Sequence, residues 1–116
     1  MKIVRVGIAT QEEIQKRTVD IAAGRIKPKS TDPKIWFTSL RSVSTLLSDE
    51  NRGVLRVIST SKPDSITHLA EITGIKQQRL SRILKSMSVY GFVELKRLGQ
   101  GTQPIAKVSK FIIELR

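Results

Sequence analysis

Gln77, Gln78, Arg79, Ser81, Arg82 and Lys85 crowd one short stretch, GIKQQRLSRILKSMSVYGFV, residues 74–93. Each of these side chains hydrogen-bonds or carries positive charge. A Gln amide offers a donor and an acceptor together, an Arg presents parallel N–H groups, a Ser hydroxyl does both jobs, and Lys is a point charge. None of them is placed as a nucleophile beside a base. The chain has no Cys and one His, His68, and no pair of carboxylates stands at a spacing that supports acid–base work. Neither catalysis nor a metal nor a cofactor is therefore expected. The run LGQGTQ is not a phosphate-cradling loop, because no helix and no Lys-Ser/Thr pair follow it. The chemistry on offer is recognition rather than conversion.

What would be recognised follows from charge. The 116 residues hold 21 Lys and Arg against 10 Asp and Glu, a formal net charge of +11, which exceeds what solubility needs and points to a polyanion or an acidic partner. The distribution is uneven. Residues 49–75 set Arg52, Arg56 and Lys62 against Asp49, Glu50, Asp64 and Glu71. Residues 76–110 carry Lys76, Arg79, Arg82, Lys85, Lys96, Arg97, Lys107 and Lys110 with Glu94 alone opposing them. A cationic patch of this kind is the electrostatic footprint of nucleic acid binding. No apolar run approaches a bilayer span, and MKIVRVGIAT is interrupted by Arg5, so a soluble cytoplasmic protein without a membrane partner is expected.

The elements that must hold these residues can be read from spacing. KIVRVGI puts Val4, Val6 and Ile8 on one face of a strand. Thr10 stands three residues before Glu13, a capping box that opens a helix to about Ala23, with Ile14, Thr18, Ile21 and Ala22 inward and Gly24 as its stop. RIKPKSTDPK reads as a linker. From Ile35 the spacing becomes helical, with Trp36 and Phe37 as anchors before a stripe of Leu40, Val43, Leu46 and Leu47. Ser48 caps a second helix, which carries Asp49 and Glu50 in its first turn and turns Val54, Leu55 and Ile58 inward. Asp64, Ser65 or Thr67 starts a short helix that stops at Gly74. Leu80, Ile83, Leu84 and Met87 then give the next helix its buried stripe, and Gly91 ends it. FVELKRL and QPIAKV flank GQG as a hairpin, and KFIIELR closes the chain as a strand alternating Phe111, Ile113 and Leu115 against Ile112 and Glu114.

Two helices joined by a Gly turn, the second basic, followed by a basic hairpin, form the pattern of a winged helix-turn-helix. The major groove of a DNA duplex admits one helix, so the outward side chains of that helix meet base edges. Gln matches adenine N6 and N7, and Arg forks onto guanine O6 and N7. Gln77, Gln78, Arg79 and Arg82 are thus the expected readers, with Ser81 as a smaller one, while Lys76 and Lys85 meet phosphates. The hairpin, with Lys96, Arg97, Gln100, Thr102, Gln103 and Lys107, is expected to dock on the backbone or in the minor groove.

SITHLAEITGIKQQRLSRILKSMSVYGFVEL also resembles the MarR- and ArsR-type winged-helix regulators, through Leu69-Ala70, Gly74, Ser81-Arg82 and Gly91-Phe92-Val93. The resemblance covers residues 49–108 and implies sequence-specific DNA binding. The whole chain is similar to a group of small prokaryotic regulators, some of them antitoxin-like partners in two-gene modules. Lys76 stands where such proteins commonly cap the recognition helix with Ser or Thr, and Gln77-Gln78-Arg79 matches no operator that could be carried over.

The expected fold class is α+β, mainly α: a winged helix-turn-helix in residues 34–116, with residues 1–33 as a strand–helix extension and linker for dimerisation or partner binding. The expected function is a homodimeric repressor, associated with the nucleoid, that uses residues 76–90 as recognition helix and residues 93–108 as wing on double-stranded DNA. The competing expectation is an antitoxin or adaptor whose N-terminal segment binds a toxin or other partner protein.

Overall fold

Capping and apolar spacing account for most of the helix boundaries in the computed structural model, which describes residues 2–116. Among these the chain is α+β, with five helices and five strands in two sheets. It divides into two units, Ile3–Thr45 with Lys110–Arg116, and Leu46–Ser109 with Lys2. The linker anticipated from sequence and the division between units do not coincide, because both the short strand after that linker and the last strand join the N-terminal sheet.

In the N-terminal unit β1 (Lys2–Ile8) is the central strand of the order β2-β1-β5. The α1 helix (Gln11–Ala22) starts at Thr10, whose Oγ1 accepts the Glu13 N–H at 3.1 Å and donates to Glu13 Oε1 at 3.1 Å. It ends as expected, with Gly24 at φ +78° donating its N–H to the Ile21 carbonyl. Its inward face differs from expectation. Ile14, Arg17, Asp20 and Ile21 are half-buried, whereas Thr18 and Ala22 are exposed, and no α1 residue is fully buried. Thr18 turns its hydroxyl onto the Ile14 carbonyl at 2.9 Å.

The stretch RIKPKSTDPK is tied down rather than loose. Arg17 bridges to Asp32 at 3.0 Å, Arg25 to Asp20 at 2.9 Å, and the Lys29 N–H donates to Asp32 at 2.8 Å. It delivers Ile35–Phe37, read from sequence as the approach to a helix, into a strand, β2, parallel to β1 in the register Val6↔Ile35, Gly7↔Trp36 and Ile8↔Phe37. Parallel neighbours need a long crossover, which α1 and this loop supply. Gly7 makes the pairing work: a Cβ there would lie 2.4 Å from Trp36 Cζ3, so only a bare Cα lets the indole lie across the strand. The guanidinium carbons of Arg17 and Arg116 stand 5.6 and 5.3 Å from the Trp36 ring centre. The α2 helix (Leu40–Leu46) follows, opened by Ser39, which accepts the Ser42 N–H. Val43 and Leu46 are buried, as is Leu47, but Leu40, assigned to the same stripe, is 54% exposed. Spacing sets a direction on the helix, and only packing decides whether that direction is covered.

In the second unit α3 (Asp49–Ser61) is capped by Ser48, buries Val54, Leu55 and Ile58 as expected, and ends at Lys62 in the left-handed region, φ +46°. Ser65 Oγ accepts the His68 N–H and opens α4 (Ile66–Thr73), which stops at Gly74 with φ +73°. The α5 helix (Gln77–Val89) follows directly. Its exit has the paired bonds of a Schellman motif: Phe92 N–H to the Met87 carbonyl and Gly91 N–H to the Ser88 carbonyl, with Gly91 at φ +77°. Strands β3 (Val93–Leu98) and β4 (Gly101–Ala106) pair antiparallel from Val93↔Ala106 to Leu98↔Gly101. Gly99 at φ +60° takes the first position of the two-residue turn, as a type II′ hairpin requires. Leu69, Leu80, Leu84, Met87 and Phe92 are fully buried in this unit. The last strand, β5 (Val108–Leu115), returns beside β1.

Candidate functional site

The buried stripe of α5 fixes which side chains remain available. Leu80, Leu84 and Met87 are wholly inside, and Ile83 is half-buried. At 100° per residue this leaves Gln78, Arg82 and Lys85 on the far side, flanked by Gln77, Arg79 and Ser81, and all six are exposed, as is Lys76. Lys76 is the N-cap residue of α5 but makes no side-chain cap bond, so the first N–H groups of the helix lack the acceptor that Ser or Thr would supply. The Gly74 turn places this helix start immediately after α4.

One member of the set is already engaged. Arg79 donates to Glu50 Oε1 at 2.7 Å, across to the first turn of α3. Its guanidinium is directed by that carboxylate, whereas the side chains of Arg82 and Lys85 have no such ion pair among the described residues. Sequence spacing gave no sign of the pair, since the partners are 29 positions apart.

The hairpin candidates separate into two groups. Lys96 pairs across the ladder with Gln103, and Arg97 with Thr102, so the two cations occupy opposite faces of the strand. Both are exposed, as is Gln100 in the turn. Thr102 and Gln103 are half-buried, and Gln103 Nε2 points to the Pro63 carbonyl at 3.5 Å, toward the α3–α4 connection rather than away from the protein. Lys107 lies past the end of β4, at the hairpin base, where its Nζ meets Glu94 at 2.9 Å. The Lys107 hydrogen bond and charge, with the charge of Lys96, hold the Glu94 carboxyl below the usual carboxylate range. The structure therefore gathers the seven α5 residues on one element and Lys96, Arg97 and Gln100 at the outer part of the hairpin, and it draws Gln103 and Lys107 back onto the protein.

His68 is half-buried and shares a 3.0 Å contact with Asp64. Among the described residues no group of three or more His, Asp or Glu side chains could hold a metal ion, and no helix is long and apolar enough to cross a membrane. The N-terminal unit has two shallow clefts of about 270 and 290 Å³, which share Ile14, Arg17 and Trp36 in their walls.

The class the geometry defines is an α+β chain with five helices and five strands in two sheets among the described residues. The HVO_A0114 family model matches residues 46–113, more than half of the sequence, and the chain belongs to that family. The match spans the unit that carries α3, α4, α5 and the hairpin, and it reaches into β5. No curated protein and no solved structure matches the chain.

Proposed function

We propose that the protein is a sequence-specific double-stranded DNA-binding regulator of winged helix-turn-helix type, related to the MarR- and ArsR-type proteins it resembles and acting as a homodimeric, nucleoid-associated repressor in the cytoplasm. The observation that carries this reading is the division of α5: its apolar stripe is buried at Leu80, Leu84 and Met87, while every polar and cationic position from Lys76 to Lys85 stays exposed. A helix held to its domain by one face and lined with amides and cations on the other has the chemistry of base-edge readout. In this reading α4 braces α5 over the phosphates, Gln77, Gln78, Ser81 and Arg82 meet bases, and Lys76 and Lys85 meet the backbone. Arg79 reads bases only after exchanging Glu50 for DNA. Lys96, Arg97 and Gln100 form the contacting part of the wing. Selection of bound duplexes from a random library tests the proposal: an enriched motif with two related half-sites is expected, and recovery of no motif overturns it.

A second reading, an antitoxin or adaptor that binds a partner protein through its N-terminal segment, is favoured by one observation, that α1 fully buries none of its residues. Purification at high salt separates the two readings, because the second requires a stoichiometric companion protein that stays bound when the α5 cations are removed.

A further inference from the structure

We propose that a second copy of this chain adds to the open edge of β5 in an antiparallel register centred on Ile112, joining two three-stranded sheets into one six-stranded sheet about a two-fold axis. This rests on the homodimer in the reading above and supplies its geometry.

In the order β2-β1-β5, β1 uses both of its edges and β5 uses one. At eight residues β5 is also the longest strand, so its outer edge is a long template for pairing. It contains no Pro, and its middle is the apolar run Phe111-Ile112-Ile113. Ile113 is 44% exposed and Leu115 65% exposed. The Arg116 N–H donates to the Ile8 carbonyl, so the end of the chain is held to β1 and the second edge of β5 is the one without a strand neighbour.

The occupant is indicated by charge. KFIIE, residues 110–114, is complementary to itself when reversed. Centred on Ile112, Lys110 of each copy stands opposite Glu114 of the other, and Phe111 stands opposite Ile113, on the two faces of the strand respectively. This makes two opposite-charge and two apolar cross-strand pairs from one two-fold operation. Moving the centre by one residue destroys the match. Centred on Phe111, Lys110 faces Ile112, and centred on Ile113, Lys110 faces Arg116 with like charge. Lys110 and Glu114 are both exposed, and Glu114 also accepts from Arg116 of its own chain at 3.0 Å, which leaves its second oxygen for the Lys110 ammonium.

Sedimentation of the full chain over a concentration series tests this with K110E, E114K and the double variant. Wild type is expected to dimerise. Each single variant replaces two opposite-charge pairs by two like-charge pairs and should raise the dimer dissociation constant about tenfold or more, while K110E/E114K restores opposite charges and should return toward wild type. A chain that stays monomeric, a dimer indifferent to both single variants, a double variant no better than the singles, or dimerisation only with another protein overturns the proposal. Selection of duplexes by the same samples keeps the two readings apart. Charge-sensitive dimerisation without an enriched motif removes only the DNA reading, and two half-sites bound by a charge-insensitive dimer remove only the β5 interface.

Discussion

Arg79 and Arg82 are three positions apart on one helix and chemically identical, yet the fold treats them differently. Among the described residues Arg82 has no ion pair that the proposed DNA contact would have to displace, and R82A is expected to cost about 1–3 kcal/mol at a single base position, seen as relaxed preference there in competition binding; equal weakening for all sequences would remove it from the readers. Arg79 must first leave Glu50, an exposed pair worth at most about 1 kcal/mol. E50Q should therefore tighten DNA binding by less than about tenfold, measured by anisotropy at fixed salt, and R79A should abolish that gain. Asp32 gives a prediction of a different kind. The Lys29 N–H, then Arg17, hold its carboxyl below the ordinary carboxylate range. A depressed acid contributes stability above its ordinary range and loses it as pH falls through the lowered value. Thermal midpoints of wild type and D32N should differ at neutral pH and converge in acid. A difference that persists there would assign the effect to packing.

At the scale of elements, the helix ends show what local chemistry achieves. Thr10, Ser48 and Ser65 each cap a helix through a side-chain oxygen three residues ahead of the N–H they accept. The α5 helix lacks that bond at Lys76. K76S should stabilise the chain by about 0.5–1 kcal/mol in urea unfolding while weakening DNA binding if the phosphate contact proposed for Lys76 is made. Unchanged stability would mean that the first turn of α5 has its N–H groups satisfied in another way. The helices, the Gly74 and Gly91 stops and the hairpin were legible in sequence because each depends on residues within about one turn of one another. The β2 strand was not legible, since three residues are too few to show a period and their pairing depends on where α1 and its loop return the chain. The exposure of Leu40, Thr18 and Ala22 escaped for the related reason that spacing gives direction and not coverage.

For the molecule as a whole, the proposed DNA binding would draw its affinity more from the excess of cations than from any single contact. Release of counterions from neutralised phosphates makes binding fall linearly in log–log plots against salt. R97A should lower that slope by about one while leaving sequence preference unchanged, and K107A should leave the slope nearly unaltered, because Lys107 already neutralises Glu94. Equal slopes for wild type and R97A would take the hairpin out of the interface.

The sequence alone determined the basic half of the chain and the split of α5 into a buried stripe and a polar face, both of which follow from composition and from hydrogen bonds and periods within a few residues. Only the tertiary structure decided that Arg79 is held by Glu50, that Gln103 and Lys107 turn back onto the protein, that Trp36 lies over Gly7, and that β5 ends the sheet with its outer edge open. Each of these joins or separates residues far apart in the chain, and such neighbours are fixed by the path of the backbone through space, which no local spacing encodes.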